Sequence, residues 1–112
     1  MKLHPYMAKR IDQLNELCQR YGVSRLYAFG SIVSGTFDVK TSDIDLQVEL
    51  LPIEDPVAKG LTLLEFWAEL ENLFERKVDL LTDQPIKNPF FRKALEETKI
   101  LVYDRESQEV PV

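Results

Sequence analysis

From Asp43 to Leu50 the chain alternates without a break: Asp43, Asp45, Gln47 and Glu49 form one set, and Ile44, Leu46, Val48 and Leu50 the other. Successive side chains of a strand point to opposite faces, so this segment reads as a strand buried on one side only. A chain built around it needs a sheet with one covered face and one face left for polar groups. Other apolar patterns supply the cover. Met7, Ile11, Leu14, Leu17, Cys18 and Tyr21 repeat at helical spacing, which predicts a helix from Pro5 to Tyr21, with Pro5 in its first turn and Gly22 at its end. A second helix is expected from Val57 to Phe74, its buried face made of Val57, Leu61, Leu64 and Ala68 with Trp67 nearby. A third opens at Asn88-Pro89 and runs to about Thr98, seating Phe90 and Phe91 in the core. Short strands are expected at Arg25–Phe29, Lys77–Leu81 and Lys99–Tyr103, and a helical turn after Ser31. The order predicts an α+β domain, a small mixed sheet of about four strands packed with helices.

The 112 residues suit one domain, read as 1–104, followed by a loose polar tail over 105–112. Fourteen basic residues stand against 19 acidic ones, a net charge of −5 with no basic run. A domain that grips nucleic acid needs cations to exchange for counterions, so no direct nucleic-acid contact is expected. Neither a secretory leader nor a membrane span is visible, and Cys18 is the only cysteine, which favours a buried thiol in a reducing, cytoplasmic setting. His4, the only histidine, is expected to have no catalytic role, and Lys40 to be a solvated loop residue.

Asp43 and Asp45, two apart on a strand, share a face. Side by side they repel, and each disfavours ionisation of the other unless a cation stands between them. Hard oxygen donors of this kind suit Mg²⁺ completed by water and substrate phosphates. Alone, the pair is equally a stretch of solvated strand, since Gln47 and Glu49 continue the polar side. Context favours chemistry. Phe29-Gly30-Ser31 closes a strand and enters a turn, where glycine lets the backbone approach a ligand and a hydroxyl and N–H groups can hold phosphate oxygens. Asp79 interrupts an apolar strand between Val78 and Leu80; it is either a third carboxylate of the same centre or the partner of Arg76, Lys77 or another base.

The stretch FGSIVSGTFDVKTSDIDLQVEL resembles the signature of the polymerase-β-type nucleotidyltransferase superfamily, a Gly-Ser turn followed by an Asp-x-Asp strand. With RKVDLLT, IKNPFF and KILVYD, the resemblance to the minimal nucleotidyltransferase branch extends over nearly the whole chain. That branch is paired with HEPN toxins in toxin–antitoxin systems, and the resemblance implies transfer of adenylyl groups from ATP to a tyrosine of the toxin. It implies further that Gly30 and Ser31, with Ser42, bind the nucleotide. Asp43, Asp45 and Asp79 would then be the catalytic residues and Mg²⁺ ligands. The chain departs from many relatives in carrying Ile32, Val33 and Ser34 where an arginine often follows the Gly-Ser, and in a slightly longer loop before Asp43.

The leading expectation is therefore a Mg²⁺-dependent adenylyltransferase antitoxin, forming a hetero-oligomer with its HEPN toxin. With little beyond a catalytic core, the chain should meet its acceptor on another protein. The alternatives are an antitoxin that acts by occlusion alone, or a transferase acting on a small molecule.

Overall fold

The computed structural model describes residues 3–82, 84 and 86–106. In chain order the elements are α1 (Pro5–Ala8), α2 (Ile11–Arg20), β1 (Val23–Phe29), α3 (Ser31–Ser34) and β2 (Ile44–Leu50). They continue as α4 (Pro56–Phe74), β3 (Val78–Leu81), α5 (Pro89–Thr98) and β4 (Ile100–Asp104). The four strands form one mixed sheet in the order β3-β2-β1-β4, with β2 and β3 parallel and the other pairs antiparallel. This is the α+β architecture expected. No helix among the described residues is long and apolar enough to cross a membrane.

The alternation in β2 sorts the sheet as read. Leu46 and Val48 lie opposite Ala28 and Leu26, and Ile44 opposite Val78; all are buried against α2 and α4. The other face carries Asp45 opposite both Phe29 and Asp79, then Gln47 opposite Tyr27 and Glu49 opposite Arg25. Gln47 is not solvated as its place in the polar row suggests. It is buried, and its side-chain carbonyl accepts a hydrogen bond from Lys99, whose ammonium also lies over the Tyr27 ring.

Three local expectations are corrected. The first helix is broken at Lys9–Arg10. His4 Nδ1 caps a single turn by accepting from the Tyr6 N–H, and Arg10 donates back to the Tyr6 carbonyl while stacking on its ring. The buried face of α4 is the opposite of the one expected. Phe66, Leu70 and Phe74 are buried, whereas Val57, Leu61 and Leu64 are more than half exposed and Ala68 is exposed. Both stripes obey helical spacing, so periodicity could not choose between them. Phe90 and Phe91 start α5 as predicted, with the Asn88 carboxamide capping their N–H groups, but they do not enter the core; Phe90 is 84% exposed.

Cys18 is fully buried, and that burial pushes its thiol up to about 12, partly opposed by Arg105. Arg105, read as part of the tail, is tied down by hydrogen bonds to the carbonyls of Val23, Cys18 and Gln19. The tail from residue 107 onward lies outside the described residues.

The assignment of faces on α4 predicts a sharp contrast. Phe66→Ala should cost about 3–5 kcal/mol in urea unfolding. Leu64→Ala should change stability by no more than about 0.5 kcal/mol.

Candidate functional site

The site lies at one end of the polar face, where β1 ends and β2 begins. Gly30 follows β1 with φ 71° and ψ −148°, a backbone conformation that L side chains rarely adopt, and caps the short helix α3. A Cβ here would overlap the Asp45 carboxylate at Oδ2. The glycine therefore serves a close approach as well as a turn: the backbone leading into Ser31 lies directly against the carboxylate. Among the described residues the Ser31 hydroxyl has no hydrogen-bond partner, and the residue is half-buried.

Asp45 and Asp79 face each other across the parallel β2–β3 pair. Desolvation raises the Asp45 carboxyl to about 6; a hydrogen bond to Asp79 and the charges of Asp79 and Asp43 add to the effect. Asp43, immediately before β2, contributes least. Among the described residues no three acidic, histidine or cysteine side chains already converge on one point. The donor set is nonetheless that of a hard divalent cation. Two opposed carboxylates share a half-buried spot where neither has a basic group in close contact except Lys77. The Lys77–Asp79 approach, at 3.8 Å, joins two side chains that are 66% and 49% exposed and is weak.

A cavity of about 580 Å³ opens onto this pair, lined by Phe29, Gly30, Asp45, Trp67, Asp79, Leu80, Leu81 and Phe91. Trp67 closes it beside β3, its indole N–H donating to the Val78 carbonyl at 2.7 Å. Phe91 closes the other side from α5, edge-on to Phe29 with ring centroids 6.3 Å apart. Of the residues singled out in the sequence, Gly30, Asp45 and Asp79 line this cavity, while Ser31, Ser42 and Asp43 lie outside its lining. The Ser42 hydroxyl accepts from the Asp38 N–H, so it is engaged in closing the loop before β2. Lys40 is exposed in that loop.

Several residues with roles here were not found from the sequence. Trp67, expected with the buried face of α4, is 39% exposed and forms a wall of the cavity. Arg76, one of the bases offered for Asp79, turns the other way. Its guanidinium donates to the carbonyls of Val39 and Ser42 and packs on the rings of Tyr6 and Phe37. It thereby fixes the loop that delivers Asp43, while the Ile44 N–H donates to the Lys77 carbonyl. Nothing in the local sequence distinguishes Arg76 from a solvated arginine.

The fold agrees with that of its relatives. The chain belongs to the nucleotidyltransferase domain family, whose model matches residues 11–102. It is 37% identical to each of two candidate protein adenylyltransferases of Methanocaldococcus jannaschii. The first alignment spans 87 residues, 78% of this chain and 84% of that protein. The second spans 77% of this chain and 83% of its relative. Among solved structures, a candidate minimal nucleotidyltransferase shares the fold with a TM-score of 0.69 at 24% identity, over 88% of this chain and 95% of that one. A toxin–antitoxin structure with AMP-PNP gives 0.62 at 19% identity, over 88% and 76%. A tri-AMPylated HEPN toxin of Shewanella oneidensis in complex with its MNT antitoxin gives 0.59 at 14%, over 91% and 76%.

The raised Asp45 carboxyl fixes the sign of a pH effect. Below about pH 4 the group is protonated in both folded and unfolded chains. Between there and its folded value of about 6 only the folded chain keeps the proton, so stability falls as pH rises and stays low above. Without divalent cations, thermal unfolding should show this fall in the wild type. Asp45→Asn should lack it and melt higher than wild type at neutral pH.

Proposed function

We propose that this chain is a Mg²⁺-dependent protein adenylyltransferase that transfers AMP from ATP to a tyrosine of a HEPN-type toxin and so acts as its antitoxin in the cytoplasm. The observation that carries the reading is the facing of Asp45 and Asp79 across β2 and β3, with the Gly30 backbone packed against Asp45. The names of the archaeal relatives, and the AMPylated toxin bound to a protein of this fold, support the acceptor class.

In this reading the Gly30–Ser31 turn holds the triphosphate through backbone N–H groups and the Ser31 hydroxyl. Asp43, Asp45 and Asp79 hold Mg²⁺, which when bound neutralises charge on the phosphates and favours the ionised acceptor. A cation held there would keep Asp45 ionised, against the burial that favours its protonated form. Asp79 orients the acceptor hydroxyl and takes up its proton before release to solvent. The hydroxyl oxygen bonds to the α-phosphorus, the bond from that phosphorus to the bridging oxygen breaks, and pyrophosphate leaves with the electron pair. Ser42, whose hydroxyl serves the loop, supports the nucleotide indirectly by placing Asp43.

The exposed apolar stripe on α4 and the exposed Phe90 favour a protein partner under either catalysis or occlusion. Mass spectrometry of the toxin separates the two. Incubation with wild type, ATP and Mg²⁺ should add adenylyl mass to a tyrosine, and chelation should stop it. Asp45→Asn and Asp79→Asn should each lower the rate by at least about a hundredfold. Full neutralisation of the toxin in cells by the double variant would favour occlusion.

A further inference from the structure

Across the sheet, the parts of the site stand in a fixed order: Gly30 at the end of β1, Asp45 on β2, Asp79 on the edge strand β3. In a phosphoryl-type transfer the attacking oxygen and the leaving group lie on opposite sides of the phosphorus. With pyrophosphate at the Gly30–Ser31 turn, the acceptor oxygen arrives on the β3 side, next to Asp79. What stands there is apolar and flat. Leu80 and the Trp67 indole wall the cavity at that end, and the hydrogen bond from Trp67 to Val78 fixes the plane of the ring.

We infer that Trp67 is the acceptor-selecting residue, stacking against an aromatic ring that carries the reacting hydroxyl; the inference rests on the adenylyl-transfer reading. A phenol matches both features at once, its ring against Trp67 and its oxygen at Asp79. An aliphatic hydroxyl would reach the carboxylate but leave the indole uncovered. As the phenolic oxygen bonds to the α-phosphorus, pyrophosphate departs and the phenolic proton passes to Asp79. The acceptor ring is carried by a protein with an apolar face. Val57, Leu61 and Leu64 are exposed one turn after another along α4, and the exposed Trp67 follows Leu64 at the edge of that stripe. The stripe thus leads into the cavity.

Trp67 is the only tryptophan of the chain, so its fluorescence reports directly on this end of the site. With Mg²⁺ and a non-hydrolysable ATP analogue bound, N-acetyl-tyrosinamide at millimolar concentration should change the emission saturably. N-acetyl-leucinamide should not, and the nucleotide alone should leave it nearly unchanged. In transfer assays Trp67→Ala should raise KM for the tyrosine-bearing acceptor about tenfold with KM for ATP unchanged, and Trp67→Phe should restore most of the loss. Nucleotide binding that alone changes the emission, with no response to tyrosinamide, would assign the ring to the base and overturn the inference while sparing adenylyl transfer. Failure of the nucleotide to bind the wild type at all would overturn both.

Discussion

The burial of Asp45 directly opposite Asp79 is the constraint on which the candidate site depends. Two carboxylates are brought face to face by the parallel register of β2 and β3, and burial alone already disfavours charge on Asp45. An acidic pair so placed opposes folding at neutral pH unless a cation or a proton intervenes. The sheet sustains that opposition because its other face is fully committed. Ile44, Leu46 and Val48 are locked among Leu26, Ala28, Val78 and the side chains of α2 and α4. The alternation of β2 therefore divides the strand: one face secures it in the core, and the other carries the carboxylates.

The surroundings of the pair are arranged around the same problem. Gly30 has no Cβ where Asp45 needs space, so the turn after β1 can lie against the carboxylate. Arg76 is spent on the loop before Asp43, not on neutralising Asp79, and Lys77 reaches Asp79 only through an exposed and weak contact. The basic residues closest in sequence thus leave the site's negative charge uncompensated, which suits a site meant for a cation. The hydrophobic walls from Trp67 and Phe91 lower the local dielectric and strengthen each electrostatic interaction within the cavity.

Much of this was legible in the sequence because it depends on local rules. Period-two alternation placed Asp45 with its neighbours on one face. The break at Gly22 bounded the first helical stretch, and Asp79 stood out as a charge inside an apolar run. Long-range choices were not legible. Helix α4 carries two apolar stripes of equal spacing, and only the packing of the finished sheet decides that Phe66, Leu70 and Phe74 go inside. The same choice turns Trp67 from expected core into a wall of the site. The break at Lys9–Arg10 depends on Arg10 reaching back to Tyr6, and the role of Arg76 on carbonyls more than thirty residues away in sequence. Ser42, counted in the sequence as a nucleotide contact, has a hydroxyl committed to its own loop.

The claim that these carboxylates form a cation site by mutual opposition is tested most directly by carbon-13 NMR of the Asp45 carboxyl across pH. Without divalent cations it should titrate near 6. In the presence of Mg²⁺ and a non-hydrolysable ATP analogue it should move below the ordinary aspartate value of about 3.9, because the bound cation favours the ionised form. An ordinary aspartate titration that is the same with and without the cation would contradict the account.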